Sequence, residues 1–287
     1  RLLDLHNQGA IKFGKLTTLI LDEADRMLDM GFSRDLNKII NLLPRKRQTL
    51  LFSATYPEHL KELCSKYLTT PVEVMLNLEE TTAEEIQHWL IPVDKKQKSP
   101  LLKKLILESQ WDQVLVFIKS KREANILTGY LEKNGIKSRA IHSDKSQSSR
   151  KNALREFKDG KICALIATDL LARGLDIEKL PHVVNFHLPK VPEDYIHRIG
   201  RTGRAGEEGE AISLVSASEM DELIKVERQI QKFIERRLDP DFVPFNELPE
   251  SPPIKELKPK KPKKIKKTDP APSAQRQNTQ TMSDLSI

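Results

Sequence analysis

Cysteine is almost absent from this 287-residue chain. Cys64 and Cys163 stand far apart and belong to no Cys-x-x-Cys pair, so neither a disulfide framework nor a structural zinc site is expected. Long apolar runs are missing as well: no stretch approaches the roughly 18 uninterrupted apolar residues of a membrane helix, which excludes that class. There is no charged-then-apolar leader and the first residue is Arg1, which predicts a chain that starts inside a longer protein and works in a reducing, cytoplasmic setting. No internal repeat is visible. The chain does have 38% hydrophobic and 31% charged residues, a globular balance with room for one to three domains.

Basic charge is in excess, but unevenly. Of 48 Lys/Arg and 41 Asp/Glu, the stretch from Ser251 onward holds nine of the former and three of the latter. The first 250 residues therefore carry 39 basic against 38 acidic groups, so the net charge of +7 belongs mostly to one tail. A basic pI alone is thus no argument for a nucleic-acid-binding fold.

Short apolar runs alternate with helical spacing from about residue 16 to 234. Residues 19–21, 49–52, 114–117, 138–141, 164–167, 183–186 and 211–215 read as buried strands. Residues 34–43, 57–68, 121–133, 148–157 and 219–236 read as helices. Strand, helix, strand, helix predicts α/β layers with parallel sheets, whose ligands sit beyond the carboxyl ends of the strands. The polar run 79–85 reads as a linker between a short first unit, 1–78, and a full-sized second unit, 86–237. From 238 to 287 proline and then lysine dominate, and disorder is expected there.

The residues that follow the strands carry the chemistry. Asp22-Glu23-Ala24-Asp25 ends the first strand; its paired carboxylates can hold a hydrated Mg²⁺ and orient a water, or they can simply cap the next helix, and both readings stand. Ser53-Ala54-Thr55 follows the next strand, where hydroxyls are also ordinary helix caps. In the run Ala167 to Asp176, Gly174 permits close approach of backbone to a phosphate, Thr168 can hydrogen-bond to one, and Asp176 can accept from a ribose hydroxyl; a helix start with a turn is the alternative. His197-Arg198-Ile199-Gly200-Arg201-Thr202-Gly203-Arg204 sets three arginines at spacing three between glycines, a way of presenting guanidinium forks to phosphate oxygens, with a plain solvated basic loop as the alternative. Gly9 to Lys15 mimics the start of a Walker A loop, but Leu16 offers no hydroxyl to Mg²⁺ and the segment leads into a strand, so it reads as a surface turn.

Together, Asp-Glu-Ala-Asp, Ser-Ala-Thr, Ala-Thr-Asp-x3-Ala-Arg-Gly-x-Asp and His-Arg-x-Gly-Arg-x-Gly-Arg, in this order over about residues 1–237, resemble the DEAD-box RNA helicases. The continuation Arg26-Met27-Leu28-Asp29-Met30-Gly31-Phe32 and the Lys/Pro tail look most like the bacterial RhlE-type branch. The resemblance implies two RecA-like domains, the first incomplete, with ATP and Mg²⁺ as cofactors. It implies that Asp22 and Glu23 hold the Mg²⁺ shell and position the attacking water. Arg201 and Arg204 become arginine fingers from the second domain, Asp176 and Gly174 contact the nucleotide, and Ser53, Thr55 and His197 couple nucleotide state to domain closure. Arg1, Ser120, Arg150, Thr168 and Arg173 match positions at or near an RNA backbone, and ribosomal or RNA-decay complexes become candidate partners. Two departures stand out. The family's usual His-Gly is His142-Ser143 here, and the 287 residues contain no Walker A loop. The expected activity is ATP-driven local unwinding of RNA by the complete protein, with this stretch inactive alone. A non-catalytic RNA-binding or interaction module is the alternative, and a DNA helicase a weaker one.

Overall fold

In the computed structural model the described residues are 1–29, 31–53, 56, 58–74, 86–169, 177, 180–203 and 209–254. The chain divides into two compact units, Arg1–Asn77 and Leu78–Ile287. The linker expected at 79–85 and the tail beyond 254 lie outside the described residues.

The first unit pairs β1 (Thr18–Leu21) with β2 (Gln48–Leu51) in parallel, Leu19 opposite Thr49 and Leu21 opposite Leu51. Its helices are α1 (Leu2–Asn7), α2 (Ala24–Asp29), α3 (Ser33–Leu42) and α4 (Glu58–Tyr67). Leu36 and Ile40 on α3 and Leu60, Leu63 and Cys64 on α4 recur at helical spacing, and they meet Leu21 and Ala24 in one small core. Ile20 remains 59% exposed, pointing away from this core. The mimic of a Walker loop lies between α1 and β1, exposed apart from buried Phe13 and half-buried Ile11.

The second unit is a seven-stranded, all-parallel sheet in the order β5-β6-β4-β7-β8-β3-β9. The strands are β3 (Gln87–Pro92), β4 (Val114–Phe117), β5 (Ser138–Ile141), β6 (Ala164–Ala167), β7 (His182–Asn185), β8 (Glu210–Val215) and β9 (Glu235–Arg236). Its described helices are α5 (Lys98–Glu108), α6 (Lys121–Lys133), α7 (Gln147–Lys158), α8 (Glu193–Ile199) and α9 (Met220–Ile230). The pleat sorts each strand between two cores: Leu115, Phe117, Ala211 and Val215 point to one face, Val114, Val116, Ile212 and Leu214 to the other. Among the described residues no helix is long and apolar enough to cross a membrane.

Three expectations need correction. β3 was not anticipated, because His88 and Pro92 mask an apolar centre that sits between β8 and β9. The helix expected over 219–236 ends at Ile230; Gln231 takes a left-handed φ of 52° and the chain turns into β9, which extends the sheet beside β3. The disorder expected from 238 does not hold for residues 238–254. Leu248 is buried, Phe242 packs on the core around Trp89, and the Arg236 guanidinium donates to Leu248 O at 3.0 Å. Composition suggested a solvated tail, but two apolar anchors and side-chain bonds to backbone suffice to fix a proline-rich strap that needs no ladder of its own.

Candidate functional site

In the first unit the carboxyl ends of two paired strands bring two motifs together. Phe52 N–H donates to Leu21 O and Ala24 N–H to Phe52 O, at 2.8 and 3.0 Å. The Asp25 N–H then donates to Ser53 Oγ at 3.3 Å. Glu23 sits at φ 49°, in the left-handed region, and its N–H donates to Asp22 Oδ1 at 2.9 Å. This kink leaves the Asp22 and Glu23 side chains exposed, while Asp25 is buried in the first turn of α2. The helix-start alternative for this acidic run is met by Asp25, an acidic residue in the first turn of α2 whose Oδ1 accepts from Arg26 N–H at 2.9 Å. Among the described residues no group of three or more His, Cys, Asp or Glu is placed to cage a metal. Two exposed carboxylates with hard oxygen donors nevertheless fit Mg²⁺, which is ordinarily held by one or two carboxylates together with substrate phosphates.

In the second unit β5, β6 and β4 are neighbours, so His142, Ser143, Thr168, Lys119 and Ser120 line one sheet edge at the carboxyl end. Thr168 N–H reaches Ile141 O at 3.3 Å. Ser120 is also the N-cap of α6: its hydroxyl accepts from Glu123 N–H at 3.2 Å and donates to Glu123 Oε2 at 2.7 Å. His142 is buried with Nε2 at 3.1 Å from Asn125 Oδ1, whereas Ser143 is exposed and outside the left-handed region, so the residue that replaces the family's glycine sits there without backbone strain. Arg150 is half-buried on α7, and Arg1 is exposed ahead of α1 in the first unit.

The arginine motif divides into two jobs. Arg198, 2% exposed, grips Asp169 through Nε at 2.6 Å and Nη2 at 2.8 Å. Its Nη1 donates to His187 O at 2.7 Å and to Asn185 Oδ1 at 3.0 Å, and its guanidinium lies over Phe117, 5.0 Å from the ring centroid. The expectation that all three arginines present forks to phosphate is thus corrected: Arg198 is spent inside the protein, tying α8 to the ends of β4, β6 and β7. One turn later Arg201 and Thr202 leave the helix. Thr202 is buried with its hydroxyl on Leu180 O, and Leu180 N–H donates to Arg201 O at 3.0 Å. Gly209 closes on this loop so tightly that a Cβ there would lie 2.1 Å from Thr202 Oγ1 and 2.5 Å from Gly203 N, which only glycine permits. His197 is half-buried on α8. Thr55, Arg173, Gly174, Asp176 and Arg204 lie outside the described residues. Asp169 and Arg198 both stood inside motifs already visible in the sequence, yet nothing there told that they pair with each other.

Beside this network lies a buried ionic cluster that the sequence did not announce. Lys98 is fully buried and donates to Phe186 O at 2.9 Å and to Glu219 Oε2. Glu219 also accepts from Ser216 N–H at 3.0 Å and Oγ at 2.7 Å. Burial lowers the Lys98 pKa against the pull of Glu219. Burial raises that of Glu219, but Lys98 and Ser216 outweigh it and hold the carboxyl below its ordinary value. His187, 4% exposed, is pushed down to about 4, first by burial and then by the Lys98 ammonium. An unfolded histidine titrates near 6.5, so below that pH the unfolded chain takes up a proton that folded His187 refuses. Stability from this group is therefore complete above about pH 6.5 and is lost as the pH falls to about 4, by about 3 kcal/mol in all. His88, His142 and His182 are lowered in the same direction, each chiefly by burial. Urea midpoints measured between pH 7 and 4.5 should fall more steeply for the natural chain than for His187→Gln; parallel slopes would refute the assignment.

Comparison with known proteins follows the same lines. Residues 1–63 match the DEAD/DEAH box helicase family and residues 97–206 the helicase conserved C-terminal domain. The DEAD-box ATP-dependent RNA helicase CshA of Geobacillus kaustophilus is 40% identical over 240 residues, 84% of this chain and 51% of the relative. CshA of Streptococcus pneumoniae is 43% identical over 232 residues, 81% and 44% of the two chains. The chain thus spans about half the length of these relatives, whose name gives no support to the expected RhlE-type placement. Among solved structures, Saccharomyces cerevisiae Dbp5 bound to RNA and ADP BeF3 superposes with a TM-score of 0.73 at 31% identity, covering 85% of this chain and 63% of that one. The Escherichia coli DEAD-box protein SrmB, bound to the regulator of ribonuclease activity A, gives 0.53 at 33% identity, over 58% of this chain and 98% of its own. The parallel sheets are those of RecA-like helicase domains. With its motifs at the strand ends where such sheets carry their chemistry, the chain belongs to the DEAD-box helicase family.

Proposed function

We propose that the protein carrying this chain is an ATP-dependent RNA helicase or RNP remodeller of the cytoplasm, opening short RNA duplexes locally, with ribosomal or RNA-decay particles among its substrates. The observation that supports this most is the Asp25 N–H to Ser53 Oγ bond, which joins the acidic strand end to the hydroxyl-bearing one beside it.

In this reading Asp22 and Glu23 would hold the Mg²⁺ shell and position the attacking water. The metal, when bound, neutralises charge on the phosphates. Arg201 and Arg204 would stabilise the charge that develops on the transferred phosphoryl group, a contribution of roughly a thousandfold in rate, about 4 kcal/mol of barrier. Asp176 and Gly174 would bind the nucleotide. Ser53, Thr55 and His197 would relay its state. Arg1, Ser120, Arg150, Thr168 and Arg173 would contact phosphates and sugars, which gives binding without sequence preference.

Two measurements test this. In the complete protein, Glu23→Gln should lower RNA-stimulated ATP turnover on the order of a hundredfold or more while RNA binding persists; unchanged turnover would sink the reading. The 287-residue chain alone, without a lysine-and-amide cradle for the β and γ phosphates, should bind single-stranded RNA yet show no RNA-stimulated hydrolysis.

A further inference from the structure

The strap over residues 238–254 carries two kinds of apolar side chain. Phe242 and Leu248 face inward, onto the core. Phe245, between them, is 92% exposed, flanked by Val243 at 65% and Leu238 at 71%. Exposure of a lone aromatic is commonplace, but the backbone beneath this one is pinned. The Asp94 carboxylate accepts Phe245 N–H at 2.7 Å and Asn246 N–H at 3.4 Å. On the same strap the Lys104 ammonium holds Asp239, at 2.8 Å, and Asp241. The ring is thus displayed in water from a fixed mount. Asp94 follows β3, and the next two residues, Lys95 and Lys96, are exposed.

The position of that mount gives it meaning. All seven strands of the sheet are parallel, so the residues after β3 share the carboxyl end with Ser120 after β4 and Thr168 after β6. In the order β6-β4-β7-β8-β3, three strand spacings separate β4 from β3, roughly 14 Å. We propose that Phe245, with Lys95 and Lys96, forms an additional single-stranded RNA subsite, in which a base stacks on the ring and the two ammonium groups neutralise the adjoining phosphates. The inference rests on the RNA-binding reading above and extends the strand's track along the carboxyl end toward β3. A flat ring with no hydrogen-bonding edge takes any base, so the subsite adds affinity without sequence preference. The paired lysines select a polyanion over an apolar peptide as the occupant, and the lysine run that begins at Lys255 follows ten residues later in the sequence.

The test uses the 287-residue chain and fluorescein-labelled oligouridine, read by anisotropy. Phe245→Ala removes a ring that touches no core, so the unfolding midpoint should stay put while affinity falls roughly tenfold. Phe245→Trp should keep the affinity, and its emission should be quenched on adding RNA, against a background of Trp89 and Trp111, both buried. Phe245→Leu, apolar but without a π face, should behave as Ala does. The Lys95→Ala/Lys96→Ala variant should flatten the log–log salt dependence by about 1.4. Equal affinity of the natural chain and Phe245→Ala, or full rescue by Leu, overturns the subsite while leaving the RNA-binding reading intact, and would hand the patch to a protein partner. Failure of the natural chain to bind oligouridine at all would overturn both.

Discussion

Arg198→Ala should lower the unfolding free energy of the second unit by about 3–5 kcal/mol, the range expected when one partner of a buried ion pair is deleted and the other is left in place. Arg198 is nearly inaccessible, and the change would strand Asp169, Asn185 Oδ1 and His187 O at once. Asn185 and His187 are buried and Asp169 is 31% exposed, so without the guanidinium two desolvated acceptors and a partly solvated carboxylate lose their donor. Arg198→Lys should recover less than half of the loss, because a point charge cannot span a bidentate carboxylate and two further acceptors at fixed angles. Chemical denaturation followed by circular dichroism reads this directly. A loss below about 1 kcal/mol, typical of a surface pair, would show that Arg198 is more solvated than its geometry indicates.

The second large effect belongs to Glu219. Glu219→Gln keeps the shape and the contacts with Ser216 but removes the charge that compensates fully buried Lys98. A loss of about 3–5 kcal/mol is expected at pH 7. It should ease as the pH rises, since an unpaired buried ammonium gives up its proton more readily and its neutral form tolerates burial. The double variant Lys98→Met/Glu219→Gln should regain most of the stability, because the stranded charge is gone. Additive single-variant losses in that cycle would mean that the two side chains act independently, contrary to their contact.

What chemistry was legible in advance follows from where it is local. Strands 114–117 and 164–167 were found to the residue, since four consecutive apolar side chains buried on both faces leave a continuous run; 138–141, an edge strand that carries exposed Arg139, was found to the residue as well. Asp22, Glu23 and Ser53 were singled out because ligands of parallel sheets sit just past the strands, and the Asp25–Ser53 bond joins those two strand ends. β3 escaped, because a polar residue and a terminal proline break its run and only its neighbours β8 and β9 make it a strand. The strap of residues 238–254 escaped because composition counts proline but cannot see that Asp94 waits 151 residues away to receive Phe245 N–H.

The sequence by itself determined the family, the parallel α/β class and the list of side chains proposed to meet phosphate, since each is written in short spans whose spacing survives without a fold. Tertiary structure alone decided which of these side chains is available. It took Arg198 out of the phosphate-facing set by burying it against Asp169, it set His187 beside the Lys98–Glu219 pair, and it held Phe245 out in water. Burial and pairing are relations between distant segments, and no local pattern encodes them.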